Sequence, residues 1–244
     1  MNTSHSFNIT VRPFGDSALL VDIDAGNTDA SSDVVMALNN QLVQQRTGGL
    51  IQTTPSYNSL LVYFDPERVQ QSVLQTEINT IADAIDVKSI PLGNQWSLPA
   101  CFDEPYSLDR TALEGELSTD WQSIVDSFCA VEYRVHAVGF LPGFTYLGNL
   151  PKALHCNRML DPRTKVPSSS IAIAGTQAGI YPFDSPGGWR IIGRLPFPVF
   201  QIQADQPALF HPNDRICFKA VTLESFIELE ERPVESLIQP VARQ

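Results

Sequence analysis

Residues 170–194, SIAIAGTQAGIYPFDSPGGWRIIGR, contain three short apolar runs separated by glycine and proline. Apolar runs of this length, bounded by turn residues at this spacing, are typical of the strands of an all-β barrel or sandwich. The complete set of such runs is EYRVHAV (132–138), SIAIAG (170–175), GIYPF (179–183), WRIIG (189–193), PVFQI (198–202) and RICFKAV (215–221). The sequence therefore predicts that the C-terminal part of the chain is mostly β.

The segment before these runs predicts one strand and one short helix. LPACF (98–102) has the composition of a strand. Ser118 or Thr119 is the expected cap of a helix, whose inward residues are Trp121, Ile124, Val125 and Phe128. After Glu224 we expect another short helix and then a loose end.

The N-terminal part alternates strands and helices. FNITV (7–11) and ALLVD (18–22) predict a hairpin, and YNSLLVYF (57–64) predicts a third strand. A first helix is expected after the possible caps Thr28 and Ser31, and it ends at Gly48-Gly49, with Val34, Val35, Leu38, Leu42 and Val43 facing inward. A second begins at Asp65-Pro66, with Val69, Val73, Ile78, Ile81 and Ile85 facing inward.

This β-β-α-β-α order predicts an α+β domain in which two helices cover one face of a small antiparallel sheet. The helical periodicity nearly disappears after Gly93. We therefore place a domain boundary there, giving an N-terminal domain over 1–93 and a β domain over 94–244.

Charge excludes several classes of partner. The 244 residues carry a net charge of −11, and a strongly acidic chain is a poor sequence-independent binder of nucleic acid. The sequence contains no apolar stretch long enough to cross a bilayer and no secretory leader, which predicts a cytoplasmic protein without a membrane partner. The four cysteines and four histidines are scattered, so we predict reduced thiols and no metal site.

A cationic segment interrupts this acidic chain. Residues 134–194 hold seven basic and two acidic residues, together with eight of the fourteen glycines. The glycines and aromatics concentrate in GFLPGFTYLG (139–148) and AGTQAGIYPFDSPGGW (174–189). Such loops bring backbone and rigid rings close to a ligand, and the charge favours a small anion. The alternatives are tight barrel corners and arginines that bridge acidic patches.

Three residues of this segment are candidate catalytic groups. His136 is suited to act as a general base or to orient a carbonyl, although a histidine in an apolar strand is often a hydrogen-bonded core residue. Gln177 is suited to donate to an oxyanion or an amide carbonyl. Arg194, at the end of an apolar strand, is a cationic anchor for substrate or a rim salt bridge.

Eight further residues are candidate substrate-binding groups. Two arginines flank Pro162 and suit a carboxylate or phosphate. Aromatic residues supply the walls of a pocket, and the Ser-Pro-Gly-Gly turn offers backbone N–H groups to an anion. The eight are Arg158, Arg163, Phe140, Tyr146, Tyr181, Ser185, Gly187 and Trp189. Salt-bridged loops, core aromatics and an ordinary hairpin turn are the alternatives.

These motifs also carry a family resemblance. FGDSALLVD (14–22), RVHAVGFLPGFTYLGNLP (134–151), PRTKVP (162–167) and the stretch 170–194 resemble the family that contains the B-type subunit of 5-oxoprolinase, the first subunit of allophanate hydrolase and KipI-type inhibitors of a sensor histidine kinase. The resemblance covers the chain from about Phe14 to Phe218. It implies an N-terminal α+β domain followed by a cyclophilin-like β-barrel.

The resemblance also implies an activity and partners. We expect a subunit of an ATP-dependent 5-oxoprolinase that opens 5-oxoproline to glutamate, inactive alone. It would act with a homologous companion subunit of the C type and a third subunit of the A type. ATP would be used by the complex, at a site wholly or partly on a partner, because this chain has no phosphate-binding loop. We expect neither a metal nor biotin on this chain. The alternatives are a kinase inhibitor and a subunit of allophanate or urea breakdown.

The sequence departs from the family pattern at five positions. A histidine usual in the helix before the EYRV run is Phe128, and two turn glycines are Ser169 and Asn213. Asn157 replaces a proline and Leu195 a threonine. Asparagine and serine are tolerated in turns, whereas losing the histidine removes a possible proton carrier.

Overall fold

The structure, a computed structural model, describes residues 7–86 and 93–238 and the backbone of 241–242. The chain divides into two compact units, Met1–Pro91 and Leu92–Gln244. The division falls beside the boundary that we place at Gly93. Among the described residues, no helix is both long and apolar enough to cross a membrane.

The N-terminal unit is a four-stranded antiparallel sheet with two helices. The strands follow the order β1-β2-β4-β3 across the sheet, and α1 and α2 contact each other. The elements are β1 (Asn8–Pro13), β2 (Ala18–Asp24), α1 (Thr28–Gln44), β3 (Leu50–Ser56), β4 (Ser59–Phe64) and α2 (Gln71–Asp83). The apolar side chains of the helices and of the central strands β2 and β4 form one buried core.

Strand β3 is absent from our sequence-based prediction, so the order is β-β-α-β-β-α. Its sequence, LIQTTPS, is mostly polar, and Ile51 is exposed. It lies at the edge of the sheet and pairs only with β4. An edge strand needs neither a strong apolar pattern nor a full set of N–H donors, which explains the presence of Pro55.

Helix ends and two inward positions also differ from the predictions. Asn27 caps α1, since its side chain accepts a hydrogen bond from the backbone N–H of Ala30 at 2.9 Å. Helix α2 begins at Gln71 rather than at Asp65-Pro66. Val43 and Val73 are each 54% exposed, because each lies on the solvent side of its helix.

The C-terminal unit is a closed β-barrel with helices. Seven strands form the ring β12-β9-β10-β7-β6-β13-β5, and Arg194 of β12 pairs with Cys101 of β5 to close it. The strands are β5 (Asn94–Cys101), β6 (Tyr133–Val138), β7 (Thr145–Leu147), β9 (Ser170–Ala174), β10 (Gln177–Ile180), β12 (Arg190–Arg194) and β13 (Arg215–Val221). The predicted fold class, an α+β domain followed by a β-barrel, is confirmed.

Other elements lie around the ring. Strands β8 and β11 pair with each other, and β14 pairs with β5. These elements are α3 (Arg110–Leu117), α4 (Trp121–Cys129), a 3-10 turn (Lys152–Leu154), β8 (Arg163–Val166), β11 (Ser185–Gly187), α5 (Leu223–Glu230), α6 (Val234–Leu237) and β14 (Val241–Ala242).

The strand prediction is wrong for one apolar run and only partly correct for another. PVFQI (198–202) is a loop, in which Gln201 N–H donates to the Pro207 carbonyl and Leu209 N–H to the Val199 carbonyl. Its apolar Val199 fills the core without a strand ladder. In GIYPF, strand β10 ends at Ile180. The apolar pattern did not predict helix α3. Ser118, a predicted N-cap of the next helix, instead ends α3 with left-handed backbone (φ 51°). Asp120 is the N-cap of α4.

The two turn positions where the family uses glycine do have positive φ. Ser169 has φ 62° and Asn213 has φ 77°. Left-handed backbone costs a non-glycine residue about 1 kcal/mol, and asparagine tolerates it best. Ser169 offsets part of this cost, because its hydroxyl donates to the Phe197 carbonyl at 2.8 Å.

Phe128 fills the barrel core at the position where the resemblance implies a histidine. It has no exposed surface, and its ring lies 5.0 Å from that of Phe218 and 4.9 Å from that of Tyr133. The Tyr133 hydroxyl donates to the Phe128 carbonyl at 2.9 Å. Phe128 therefore has a packing role, and this position carries no titratable group.

We expect Phe128→Ala to destabilise the barrel unit by about 3–5 kcal/mol, because it removes a buried ring from a dense aromatic core. The measurement is denaturant unfolding followed by tryptophan fluorescence. All three tryptophans, Trp96, Trp121 and Trp189, belong to the barrel unit, so the signal reports that unit.

Phe14→Ala is the matched control, because Phe14 is 56% exposed in the other unit. Its unfolding midpoint should stay at the wild-type value. A midpoint for Phe128→Ala equal to that of the control would contradict the packing role.

Candidate functional site

An aromatic cluster lies outside the barrel core. It is separate from the core cluster and brings together the glycine-aromatic loops predicted to form a site. The ring of Phe144 is 5.0 Å from Tyr181, 5.6 Å from Trp189 and 4.7 Å from Tyr146. Phe140, 74% exposed, stacks edge-on against Phe144 at 6.0 Å. Four of the predicted substrate-binding aromatics thus meet in one place.

Glycine makes this cluster possible at two points. A side chain at Gly187 would collide with the Tyr181 hydroxyl, and a Cβ at Gly179 would lie 2.8 Å from Phe144 and 3.0 Å from Trp189. The predicted Ser185 is buried in β11, which pairs with β8. Residues 185–187 are therefore a strand rather than the predicted turn, and Gly187 leaves room for the Tyr181 hydroxyl.

Arg158 lies over this cluster. Its guanidinium carbon is 5.6 Å from the centre of the Trp189 ring, within the range of a cation–π contact. Arg158 forms no ion pair with any residue that the structure describes. An exposed guanidinium held by a rigid ring and lacking an acidic partner is available to an anionic ligand.

The positive charge of Arg158 affects the pKa of two tyrosine hydroxyls. Burial raises the pKa of Tyr181, and the backbone N–H of Trp189 and the Arg158 guanidinium offset part of that effect. Burial likewise raises the pKa of Tyr146, again with a smaller opposing effect of Arg158. Both phenols are therefore protonated at neutral pH and are suited to donate hydrogen bonds.

Arg158 also lines an open cleft of about 990 Å³. Strand β10 contributes Gln177 to this cleft, and β12 contributes Arg190. The cleft is lined by Glu116, Cys156, Asn157, Arg158, Met159, Leu160, Ala174, Gly175, Thr176, Gln177 and Arg190. The structure thus brings two predicted residues, Arg158 and Gln177, into one cavity with polar and cationic walls.

His136 is buried and is not among the residues that line this cleft. In the pairing of β10 with β7, Ala178 lies opposite Leu147, the last residue of β7. The ring of His136 packs against Gly148 so closely that a side chain there would collide with it. His136 therefore packs against the residue that follows β7.

The arginines of the cationic segment mostly have partners. Both oxygens of Asp109 accept from Arg163, at 2.9 and 2.8 Å, and one also accepts from the Ile191 N–H at 2.6 Å. Arg190 lies 3.7 Å from Asp109 and 3.4 Å from Glu116. Arg163, a predicted substrate ligand, is therefore half-buried in an ion pair. Asp109, 4% exposed, was missed because it lies 54 residues from Arg163 in the chain.

Arg194 lies at the other end of β12 from Arg190. Its Nε donates to the Ser168 carbonyl at 3.0 Å, and its guanidinium carbon is 5.5 Å from the centre of the Tyr106 ring. It is not among the residues that line the cleft. Among the described residues, the three predicted catalytic groups do not share one cavity. The cleft contains Gln177 but neither His136 nor Arg194.

Cys156 lines the cleft but is not a nucleophile at neutral pH. Burial is the main cause that raises its pKa from 9.0 to about 12. Its thiol is therefore protonated, and thiolate chemistry needs the deprotonated form. Within the described parts of the chain, no three His, Cys, Asp or Glu side chains are grouped to hold a metal ion.

Comparisons with known proteins agree on one family. Residues 9–210 match the profile of the carboxyltransferase domain, subdomains C and D. The chain is 26% identical over 233 residues to the B-type subunit of 5-oxoprolinase from Bacillus subtilis, covering 91% of this chain and 96% of that protein. It is 28% identical over 205 residues to the same subunit from Escherichia coli O157:H7, covering 84% and 92%.

A solved structure shows the same fold. The Kluyveromyces lactis urea carboxylase superposes with a TM-score of 0.73, covering 96% of this chain and 24% of that chain. The sequence identity is 18%, so this likeness concerns the fold.

We expect Cys156 in the folded chain to react with iodoacetamide about a thousandfold more slowly at pH 8 than in the urea-unfolded chain, because its thiolate is suppressed. Mass spectrometry of digested protein measures each cysteine separately. The folded rate should rise about tenfold per pH unit beyond pH 9, where the unfolded rate levels off.

The raised pKa of Cys156 also makes the stability of the folded chain depend on pH. Because the folded pKa is above the unfolded one, this thiol stabilises the folded chain below pH 9 and loses that contribution as pH rises toward about 12. Cys217, half-buried, is the internal control and should react faster. A Cys156 rate that follows the unfolded pH profile would refute the protonated state.

Proposed function

Because the chain belongs to the family of the carboxyltransferase domain, subdomains C and D, we propose that it is the B-type subunit of an ATP-dependent 5-oxoprolinase. Two relatives that it matches along most of their length are B-type subunits of 5-oxoprolinases. The observation that carries the proposal is Arg158, which lies over Trp189 without an acidic partner and lines the same cleft as Gln177.

The substrate's chemistry suits this arrangement. 5-Oxoproline is a five-membered lactam with a single carboxylate. Arg158 binds the carboxylate through paired hydrogen bonds, and the rigid Trp189 ring restricts the guanidinium to one orientation. The Gln177 amide donates to the lactam carbonyl, where negative charge develops when the C–N bond is attacked.

Hydrolysis adds one water across the lactam bond. The water oxygen bonds to the carbonyl carbon, the C–N bond breaks, and the ring nitrogen takes a proton to become the amine of glutamate. His136, whose buried ring packs against Gly148, is the proposed general base. We assign no substrate contact to Arg194, because its guanidinium lies over Tyr106 and donates to Ser168.

The residues of this chain do not fit ATP. The sequence has no glycine-rich phosphate loop followed by lysine and serine or threonine. The described residues also hold no acidic cluster for the magnesium ion that accompanies a nucleotide. We therefore propose that the nucleotide is held by a partner in the complex rather than by this chain.

Apolar exposure beside the cleft supports partner subunits. Leu160 lines the cleft and is 99% exposed, and Phe140 caps the aromatic cluster with 74% of its surface exposed. Side chains of this kind are typical of a surface that another protein covers. We propose a homologous companion of the C type and a third subunit of the A type, assembled in the cytoplasm, where the four free cysteines stay reduced.

The test is co-expression with the neighbouring companion subunits and an assay of ATP-dependent glutamate release from 5-oxoproline, with each subunit omitted in turn. We expect activity only when this chain is present. In the assembled enzyme, Arg158→Ala should raise the KM for 5-oxoproline about tenfold to a hundredfold, because it removes a charged hydrogen-bond partner of the carboxylate.

Arg232→Ala is the control, since it removes the same charge from an exposed position outside the cleft. Its KM should equal that of the wild type. A KM unchanged by Arg158→Ala would overturn the binding role of Arg158. A stable complex without 5-oxoprolinase activity would overturn the proposed function and favour the urea-linked or kinase-inhibitor alternatives.

A further inference from the structure

One acidic side chain lies in a cleft that is otherwise cationic. Glu116, in α3, lines the cleft together with Arg158 and Arg190. The proposed function uses Arg158 and Gln177 and leaves this carboxylate without a role. A carboxylate beside the binding site of an anion repels that ligand unless its charge is compensated, so its presence needs an explanation.

The contacts of Glu116 show how its charge is compensated. One oxygen accepts the backbone N–H of Asn157 at 2.8 Å, next to Arg158 in the chain. The other lies 3.4 Å from Arg190. Glu116 therefore fixes the loop that carries Arg158 and, at the same time, occupies the second arginine of the cleft.

The opposite side of Arg190 is also acidic. Asp109, one residue before α3, lies 3.7 Å from Arg190 and is itself paired with Arg163. Two carboxylates and two guanidiniums thus form a group with zero formal net charge. The charge that remains for a ligand in the cleft is the single positive charge of Arg158.

We propose that Glu116 is a specificity-determining residue, which restricts the cleft to ligands with one anionic group and excludes those with two. This inference rests on the proposed function for the identity of the preferred ligand. A monocarboxylate such as 5-oxoproline pairs with Arg158 and leaves Glu116 undisturbed. A dicarboxylate places its second anionic group beside Glu116, where Arg190 is already occupied.

Glu116→Gln separates charge from position. The glutamine oxygen still accepts the Asn157 N–H, so the Arg158 loop keeps its place, but Arg190 loses one acidic partner. In the assembled enzyme we expect the inhibition constant of glutarate, a dicarboxylate probe, to fall about tenfold, an effect of one charged hydrogen bond. The KM for 5-oxoproline should fall by a much smaller factor, about twofold, because its single carboxylate already pairs with Arg158.

Two further variants complete the test. Glu228→Gln removes the same charge from an exposed helix position and should leave both constants at wild-type values. Glu116→Ala also removes the Asn157 contact, so it should raise the KM for 5-oxoproline. The proposal is overturned if Glu116→Gln moves the glutarate constant and the KM by the same factor, or moves neither.

A binding measurement keeps this test independent of the proposed function. Wild type and Glu116→Gln, each as the full chain with its companion, are titrated with glutarate and with 5-oxoproline by calorimetry. If the wild-type complex releases no glutamate, the proposed function fails. A selective gain for glutarate would then still support the role of Glu116, and equal affinities in both proteins would refute it.

Discussion

The barrel wall and its cleft depend on the carboxylate of Asp109. This nearly buried group accepts two hydrogen bonds from Arg163 of β8 and one from the backbone of Ile191 in β12. It thereby connects the start of α3, the small β8-β11 sheet and the closing strand of the barrel. Breaking a buried ion pair by removing one partner typically costs about 3–5 kcal/mol, so loss of the Asp109 carboxylate should weaken the contact among all three elements.

The Asp109 carboxylate also determines which arginine is available to a ligand, because it pairs with Arg163 and Arg190. A surplus of basic residues in a chain segment suggests a strongly cationic site, but in the folded chain three of these seven residues form ion pairs. Arg163 and Arg190 pair with Asp109, and Lys165 donates to Asp184 at 2.7 Å. Arg158 instead contacts the ring of Trp189. The site is therefore a single guanidinium on an aromatic base, which suits a small monoanion better than a nucleotide.

Much of the fold was predictable because it follows local patterns. Short apolar runs between glycine and proline predicted the barrel strands, and the motif resemblance is confirmed by the family match over residues 9–210. The missed elements lack such a pattern. Strand β3 is a half-exposed edge strand, and the strands β7, β8 and β11 are four residues or fewer. Their positions depend on partners distant in the chain.

The site was only partly predictable, for the same reason. Residue chemistry selected Arg158, Gln177 and the aromatic rings, and the structure places Arg158 and Gln177 in one cleft, while their binding roles stay predictions. It gave no means of telling Arg158 from Arg163, because the partner of Arg163 lies 54 residues away, in a segment without any functional signal. At Phe128 the sequence suggested the opposite error. A phenylalanine in place of the histidine that the resemblance implies suggested the loss of a proton carrier, whereas the structure shows a ring packed in the core.

The most direct test of the central claim is a crystal structure of the assembled complex with 5-oxoproline bound. We predict that the ligand carboxylate lies about 2.8 Å from the Arg158 guanidinium nitrogens, with the lactam carbonyl beside Gln177. A ligand bound elsewhere on this chain, for example at Arg194, or wholly within a companion subunit, would contradict it.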